Sequence, residues 1–328
     1  MIISRTPFRI SFAGGGSDIP AFYRQSIGAV VSSSIDKYMY ITAHPHFDPS
    51  TILLKYSETE EVKKALDLKN TIARSIMSER NINGIEVTSI GDMPAKTGLG
   101  SSSSFAVGLH HCLNEYQKIK SNSEHLAQAA CDTELNKLFE PIGKQDQYAA
   151  AYGGLNYIEF HPDETVSVIP INLTYKTRET LNNNLMLFYT GHTRPAGSIL
   201  KAQQKNITDS STVFTNTKRM VGLAKLMKVA LEGQNLDDFG SLLNEGWQLK
   251  RTLAKEISTS HIDHWYAAAL KNGALGGKLL GAGGGGFMLF YCKQEEQDKL
   301  IKALPELRHI PISLSMKGSE IIFNNQHE

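Results

Sequence analysis

The segment from Pro94 to Phe105 constrains the fold more than any other part of the chain; it reads Pro-Ala-Lys-Thr-Gly-Leu-Gly-Ser-Ser-Ser-Ser-Phe. Gly98 and Gly100 open a turn, and apolar residues then recur at helical spacing over residues 105–116. A glycine-rich turn that leads into a helix leaves backbone N–H groups free at the positive end of the helix dipole. Such an end commonly binds phosphate, although a serine-capped helix without a ligand would have the same sequence.

Composition excludes several classes of function. The formal net charge of the 328 residues is only +1, which argues against broad electrostatic binding to nucleic acid or to an anionic membrane. The three cysteines, Cys112, Cys131 and Cys292, are far apart and form no Cys-x-x-Cys pair, so neither a zinc site nor a disulfide framework is predicted. No leader and no long apolar run is visible. We therefore expect a cytoplasmic protein that binds any anionic ligand through local donors.

The alternation of strand and helix patterns predicts an α+β protein of two domains, covering residues 1–175 and 185–328. The polar segment Tyr175–Asn184 is predicted to be the linker between them. Strands are expected at 10–13, 38–43, 85–90, 155–160, 185–189, 286–291, 310–314 and 320–323, and helices at 60–80, 102–117, 123–139 and, with breaks, 212–271, with one more from residue 294. His110 and His111 are predicted to lie on the exposed side of their helix.

Two further glycine-rich segments follow or precede strands. Gly14, Gly15 and Gly16 end the first strand, where a ligand could approach the backbone closely, although a plain surface turn is also compatible. The segment 281–286 satisfies G-x-G-x-x-G, but an apolar strand follows it where a dinucleotide-binding motif requires a helix. A dinucleotide-binding fold is therefore not predicted.

Two carboxylates stand downstream of the serine-rich helix. Glu134 lies within a predicted helix and Asp146 follows Pro141 and Gly143, which end it. Phosphoryl transfer from a nucleotide needs a metal ligand and a group that orients or deprotonates the acceptor hydroxyl. Glu134 and Asp146 suit these two roles, but acidic residues on helices more often face solvent.

Taken together and in this order, the segments at 6–18, 94–104 and 281–286 resemble the GHMP kinases. The resemblance implies an N-terminal domain similar to ribosomal protein S5 domain 2, a ferredoxin-like C-terminal domain, and ATP bound in the cleft between them. It implies that the ATP phosphates lie against Pro94, Lys96, Gly98, Leu99, Gly100, Ser101, Ser102, Ser103 and Ser104.

The same resemblance implies roles for individual residues. Ser102 and Glu134 match residues that hold Mg²⁺, Asp146 matches the aspartate that faces the acceptor hydroxyl, and Arg9 matches an arginine that can stabilise the transferring phosphoryl group. Asp18 matches an aspartate that binds sugar hydroxyls. The remaining residues expected to bind substrate are Gly14, Gly15, Gly16, Ser17, Lys144, Gly153, Thr193, Arg194, Gly283 and Gly284.

Within this superfamily, segments 5–18, 143–154 and 190–194 resemble the branch that phosphorylates the anomeric oxygen of D-glycero-D-manno-heptose 7-phosphate, a step toward nucleotide-activated heptose for surface glycans. Where galactokinases have Glu-His after the glycine turn, this chain has Gly15-Gly16. A substrate phosphate would need cations, for which Lys144, Arg194 and Lys201 are candidates. The alternatives are a kinase for a fucose- or galactose-like sugar and a catalytically silent ATP-binding regulator. The expected partners are ATP and a small sugar phosphate; the sequence leaves a homodimer open.

Overall fold

The computed structural model describes residues 1–192 and 196–325. Its strands are β1 Ile2–Ala13, β2 Gly28–Pro45, β3 Ile52–Lys55, β4 Thr59–Val62, β5 Ile85–Gly91, β6 Leu155–Phe160, β7 Val166–Pro170, β8 Leu185–Tyr189, β9 Ala274–Leu279, β10 Phe287–Cys292, β11 Arg308–Ile310, β12 Leu314–Ser315 and β13 Glu320–Asn324. Its α-helices are α1 Pro20–Tyr23, α2 Thr71–Glu79, α3 Ser101–Tyr116, α4 Ser123–Cys131, α5 Gln145–Tyr152, α6 Tyr175–Asn184, α7 Ala196–Asp209, α8 Ser211–Glu232, α9 Leu236–Lys250, α10 Ser260–Lys271 and α11 Gln297–Ala303. The α+β class predicted from the sequence is confirmed.

The first sheet is organised around the long strand β2. Its first half pairs with β6, its second half pairs with β5, and β1 runs antiparallel along the other edge. The order β13-β1-β2-β5-β3-β4 contains one parallel pair, β3 with β5. Helices α3 and α5 pack on this sheet, so the N-terminus of α3 and the first turn of α5 lie near the end of β1.

The second sheet has four antiparallel strands in the order β11-β8-β10-β9. With its helices between β8 and β9 and between β10 and β11, this is the ferredoxin-like arrangement, as predicted. The chain then returns to the first sheet: β12 pairs with β2 and β13 pairs with β1. Residues 314–324, which the predicted boundary assigned to the second domain, thus extend the first sheet.

One apolar core joins the two sheets. Phe12 of β1 packs edge-on against Phe239 of α9 with ring centroids 5.1 Å apart, and Phe239 packs against Tyr291 of β10 at 5.4 Å. All three rings are almost fully buried. Burial of rings of this size contributes strongly to the stability of such an interface.

The predicted linker Tyr175–Asn184 is wrong, because this segment is helix α6. Thr174 caps the helix by accepting a hydrogen bond from the Thr177 backbone N–H, and Leu181 is fully buried. Packing of one apolar side chain and a good cap outweigh the low helix propensity of three consecutive asparagines.

The predicted helix over 60–80 forms only over its second half, because a strand and a loop take up its first half. Residues 59–62 form β4, and α2 begins only at Thr71, capped by Asn70. Glu60 is buried and accepts hydrogen bonds from the backbone N–H groups of Lys69 and Asn70. Its carboxylate therefore orders a loop instead of facing solvent from a helix.

The predicted helix over 123–139 contains a change of helical register. After α4 ends at Cys131, residues Asp132–Lys137 form a π-helix that carries Glu134. The expectation that His110 is exposed is wrong: its imidazole is buried, contacts the Thr133 hydroxyl at 2.9 Å and lies 3.0 Å from the Arg80 guanidinium. Burial lowers the pKa of His110 to about 3, so the ring is neutral and packs against the π-helix.

Candidate active site

The loop before α3 presents its backbone to a cavity of about 360 Å³, hereafter the cleft. Gly98 and Gly100 have positive φ values of 84° and 75°, and Gly100 caps α3 without a side-chain hydrogen bond to the first turn. Both glycines line the cleft together with Ser101, Ser102 and Ser103. The first N–H groups of a 16-residue helix therefore have no capping side chain at the edge of the cleft. Their partial positive charge suits a phosphate group.

The third glycine-rich segment, residues 281–286, packs against this loop. A Cβ atom on Gly98 would lie 2.5 Å from the Leu280 carbonyl oxygen, and one on Gly281 would lie 2.4 Å from the Gly98 Cα. The two backbones can approach so closely only because neither residue has a side chain. Gly281 and Ala282 line the cleft. Gly283 and Gly284, predicted to bind substrate, pack instead against Ile257.

An arginine and an aspartate from distant parts of the chain form a bidentate ion pair in the cleft. The Arg9 Nε and Nη2 atoms donate to the two carboxylate oxygens of Asp146 at 2.8 and 2.7 Å, and Nη1 donates to the Gly98 carbonyl at 2.6 Å. The Arg9 side chain is 4% exposed and that of Asp146 is 24% exposed. The bidentate pair fixes the orientation of the Asp146 carboxylate beside the loop before α3.

Glu134 is fully buried beneath the start of α3. Its two carboxylate oxygens accept hydrogen bonds from Ser102 at 2.6 Å, Ser103 at 2.7 Å and the Gln147 amide at 2.7 Å. All three donors are neutral, and no cation lies within ion-pair distance among residues 1–192 and 196–325. Burial raises the pKa of Glu134 despite these hydrogen bonds.

A buried carboxylate that lacks a cationic partner, next to a serine hydroxyl, suits Mg²⁺. Magnesium prefers hard oxygen ligands and is commonly held by one or two carboxylates plus phosphate oxygens of a substrate. Ser102 and Glu134 would supply the protein ligands. No group of three or more His, Cys, Asp or Glu side chains forms a metal site in the described part of the chain, so a phosphate would have to complete the coordination.

The N-terminal glycine turn also lines the cleft. Gly15, Gly16 and Asp18 line it, whereas Ser17 and Gly14 hold the turn together through the bond from the Ser17 hydroxyl to the Gly14 carbonyl at 2.8 Å. The Asp18 carboxylate accepts a hydrogen bond from the Gly16 N–H at 2.9 Å. Burial, and then the charge of Asp146, raises the pKa of Asp18.

Other predicted residues lie elsewhere or support the loop. Lys96 lines the cleft; the Leu99 side chain is buried in the core, and Ser104 donates to the Pro7 carbonyl. Gly153 ends α5 and packs against the backbone of residues 317 and 318, and Pro94 accepts from the Thr97 hydroxyl. Thr193 and Arg194 lie outside the described residues.

Lys144, predicted to bind substrate, points away from the cleft. Its Nζ donates to the Glu164 carboxylate at 2.6 Å and lies 4.7 Å from the Tyr23 ring centroid. It lines a second cavity, of about 810 Å³, together with Lys201. The two cavities share Glu140 and Ile142.

Two lysines of the cleft were missed in the sequence. Lys250, the last residue of α9, and Lys278 of β9 are both more than nine-tenths buried and line the cleft, as does Gln203 of α7. Lys278 is a single charged residue in a strand whose other residues are small or apolar, and this isolated charge could have marked it as a candidate site residue. The sequence around Lys250 contains no such indication, because a lysine at the end of a helix normally faces solvent.

The comparisons with known proteins agree with this geometry. The family model for the GHMP kinases N terminal domain matches residues 62–154, and that for the GHMP kinases C terminal matches residues 227–308. In the described part of the chain, no helix is long and apolar enough to cross a membrane.

Three similar proteins span most of the chain. A D-glycero-alpha-D-manno-heptose 7-phosphate kinase of Campylobacter jejuni is 29% identical over 92% of this chain and 93% of its own length. A bifunctional fucokinase/GDP-fucose pyrophosphorylase of Arabidopsis thaliana is 24% identical over 90% of this chain but only 30% of its own length. A solved structure described as a D-glycero-D-manno-heptose 1-phosphate kinase from Bacteroides thetaiotaomicron superposes with a TM-score of 0.81 at 22% identity, covering 99% of this chain and 100% of the other.

Proposed function

Because this chain belongs to the GHMP kinase family and is a sugar kinase of that family, we propose that it transfers the γ-phosphoryl group of ATP to the anomeric hydroxyl of D-glycero-D-manno-heptose 7-phosphate. The product would be heptose 1,7-bisphosphate, a precursor of nucleotide-activated heptose for surface glycans. A reaction that consumes ATP places the enzyme in the cytoplasm under this proposal.

The observation that carries the proposal is the bidentate ion pair between Arg9 and Asp146 beside the loop before α3. A Cβ atom on Gly100 would lie 3.3 Å from the Asp146 Oδ2 atom and 3.3 Å from the Arg9 side chain. The carboxylate and the guanidinium therefore meet at the point where the loop leads into α3. An acceptor hydroxyl held by Asp146 would face a phosphate bound at that helix end.

In the proposed reaction the anomeric oxygen forms a bond to the γ-phosphorus while the bond from that phosphorus to the bridging oxygen of ADP breaks. The hydroxyl proton passes to the Asp146 carboxylate, or is oriented by it until a solvent base accepts it. Arg9 places positive charge beside the equatorial oxygens of the transferring group, where negative charge must be stabilised. An anomeric hydroxyl is more acidic than an ordinary alcohol, so a weak base suffices.

Ser102 and Glu134 would hold Mg²⁺ at the nucleotide side of the cleft. When bound, the ion neutralises charge on the phosphate oxygens and aligns them. The buried carboxylate then gains the cationic partner that it lacks among the described residues.

The choice of sugar rests on the C. jejuni relative and on the shape of the sugar side. Gly15 leaves room where a larger side chain would narrow the cleft, because among the described residues a Cβ there would have only the Ser11 and Gln145 side chains within 4 Å. At Gly16 the space is already taken by Gln203, whose amide nitrogen would lie 2.2 Å from a Cβ. The similarity to a fucokinase favours a second candidate, phosphorylation of an unphosphorylated fucose-like sugar.

A coupled assay of ADP release tests the proposal. The purified chain is incubated with Mg²⁺ and ATP and with D-glycero-D-manno-heptose 7-phosphate, fucose, galactose, mannose or homoserine. Turnover confined to the heptose phosphate is the expected result. Turnover on fucose or galactose alone would show that the substrate is an unphosphorylated sugar and not the heptose phosphate. ATP binding without turnover on any sugar would favour a catalytically silent regulator.

A further inference from the structure

Two lysines that line the cleft, Lys250 and Lys278, have no part in the reaction described above. The Lys250 Nζ atom donates to the carbonyl oxygens of Leu279, at 3.0 Å, and Gly281. The Lys278 Nζ atom donates to the Phe12 carbonyl oxygen at 3.1 Å. When both amines are protonated, each has three protons to donate, so half of the six protons have no hydrogen-bond acceptor among residues 1–192 and 196–325.

The described residues also give these buried cations no negative partner. No carboxylate lies within 4 Å of either Nζ atom in the described part of the chain, and Arg9, a third cation, lies nearby and is paired with Asp146. Burial, followed by the neighbouring cations, lowers the pKa of Lys250 to about 7 and that of Lys278 well below its usual value. Placing two unpaired ammonium groups in a protein interior is costly. A bound anion would remove that cost.

The position of the lysines indicates the sugar side of the cleft. Lys278 contacts the β1 backbone at Phe12, directly before the glycine turn, and Asp18 is the acid whose charge acts on Lys250. The nucleotide side already has a cation of its own, Lys96, beside the Ser102 and Ser103 hydroxyls and the Glu134 carboxylate. Lys250 and Lys278 are therefore left for an anion that enters with the sugar.

We propose that Lys250 and Lys278 form the site for the phosphate group carried by the sugar substrate. This inference rests on the proposed function, since it requires a phosphorylated sugar. Three unused N–H donors on two ammonium groups match the oxygens of a phosphate dianion, and the lysines thereby select a phosphorylated sugar over an unphosphorylated one.

The neighbouring cavity is a weaker place for this phosphate. Its cations Arg24 and Lys144 share the single Glu164 carboxylate, to which each donates at 2.6 Å, so both are held in an ion pair although one positive charge stays unbalanced. Lys201 is exposed. A phosphate there would have to displace an existing ion pair or rely on one solvated lysine.

The test compares Lys250→Met and Lys278→Met with the wild type and with Lys225→Met, which removes an exposed lysine of α8. Methionine is an unbranched side chain only one heavy atom shorter than lysine, and it removes the buried charge, so both variants should fold; urea unfolding checks this. The measured quantity is the ratio of kcat/KM for D-glycero-D-manno-heptose 7-phosphate to kcat/KM for the same heptose without phosphate, with the KM for ATP determined in parallel.

We expect each cleft variant to lower this ratio by about tenfold to a hundredfold, the loss typical of a charge-assisted hydrogen bond, while Lys225→Met leaves it unchanged. An unchanged ratio in both cleft variants would overturn the proposed phosphate site but not the kinase activity. A change confined to a rise in the KM for ATP would have the same consequence. A wild type that turns over only unphosphorylated sugars would overturn the proposed substrate and this site together.

Discussion

Replacing Asp146 by asparagine tests the central contact of the proposed reaction. Asparagine keeps the shape of the side chain but removes its charge and one of the two oxygens that accept hydrogen bonds from Arg9 at 2.8 and 2.7 Å. A hydrogen bond to a charged group contributes about 1.5–3 kcal/mol. We therefore expect the free energy of unfolding to fall by about 2 kcal/mol, because the buried guanidinium loses its negative partner.

The effect on the rate should be larger than the effect on stability. A group that orients or accepts the proton of the reacting hydroxyl accelerates a reaction by about 10² to 10⁴, or about 3–5 kcal/mol in activation free energy. We expect kcat of Asp146→Asn to fall within this range. The KM for ATP should change little, since under the proposed function the phosphates contact the loop before α3 and not Asp146.

The assay is coupled ADP release at saturating ATP and sugar, together with urea unfolding followed by circular dichroism. Asp298→Asn, an exposed aspartate in the first turn of α11, is the matched control and should be indistinguishable from the wild type. If Asp146→Asn is folded at the assay temperature and its kcat is within about tenfold of the wild-type value, Asp146 neither accepts nor orients the proton, and the reasoning fails.

Three further predictions follow from the same geometry. Glu134→Gln should lower kcat at least about a hundredfold, because it removes the charge of the carboxylate proposed to hold Mg²⁺. The variant should also melt at a higher temperature than the ligand-free wild type at pH 7, because a carboxyl whose pKa is raised on folding costs stability as pH rises above 4.5. This difference in melting temperature should vanish below pH 4.5. Gly98→Ala should destabilise the fold by at least about 1–2 kcal/mol in urea and raise the KM for ATP, because its Cβ would lie 2.5 Å from the Leu280 oxygen at a positive φ; unchanged unfolding would contradict this. Finally, the KM for the sugar phosphate should rise above pH 7 as Lys250 loses its proton, whereas Lys250→Met should show no such rise in a pH series.

The π-helix shows why the position of a residue in the sequence did not reveal its surroundings. Glu134 lies in a segment with a normal helical pattern, yet the register change over Asp132–Lys137 accompanies its contact with Ser102 and Ser103. Widened turns of this kind occur often at functional sites. Their hydrogen-bond pattern depends on packing against neighbours such as His110, which no local sequence rule describes.

The sequence by itself was sufficient for the features that depend on local backbone chemistry. The glycines before α3, the serine-rich first turn and the apolar periodicity predicted the turn and the helix that follows it, because each acts within a few residues. The anion site at this helix end stays a prediction. The order of the three glycine-rich segments indicated the family. The strand patterns of β8 and β10 indicated a second α+β unit, although the return of β13 to the first sheet was not predicted.

Tertiary structure decided which side chains share the cleft. Arg9 and Asp146 are 137 residues apart in the chain, and their contact depends on packing α5 beside β1. Lys250 and Lys278 reach the cleft because α9 and β9 pack against the first sheet through the core around Phe12 and Phe239. The burial and charge balance of a side chain are properties of everything packed around it, so the composition of its own segment does not determine them.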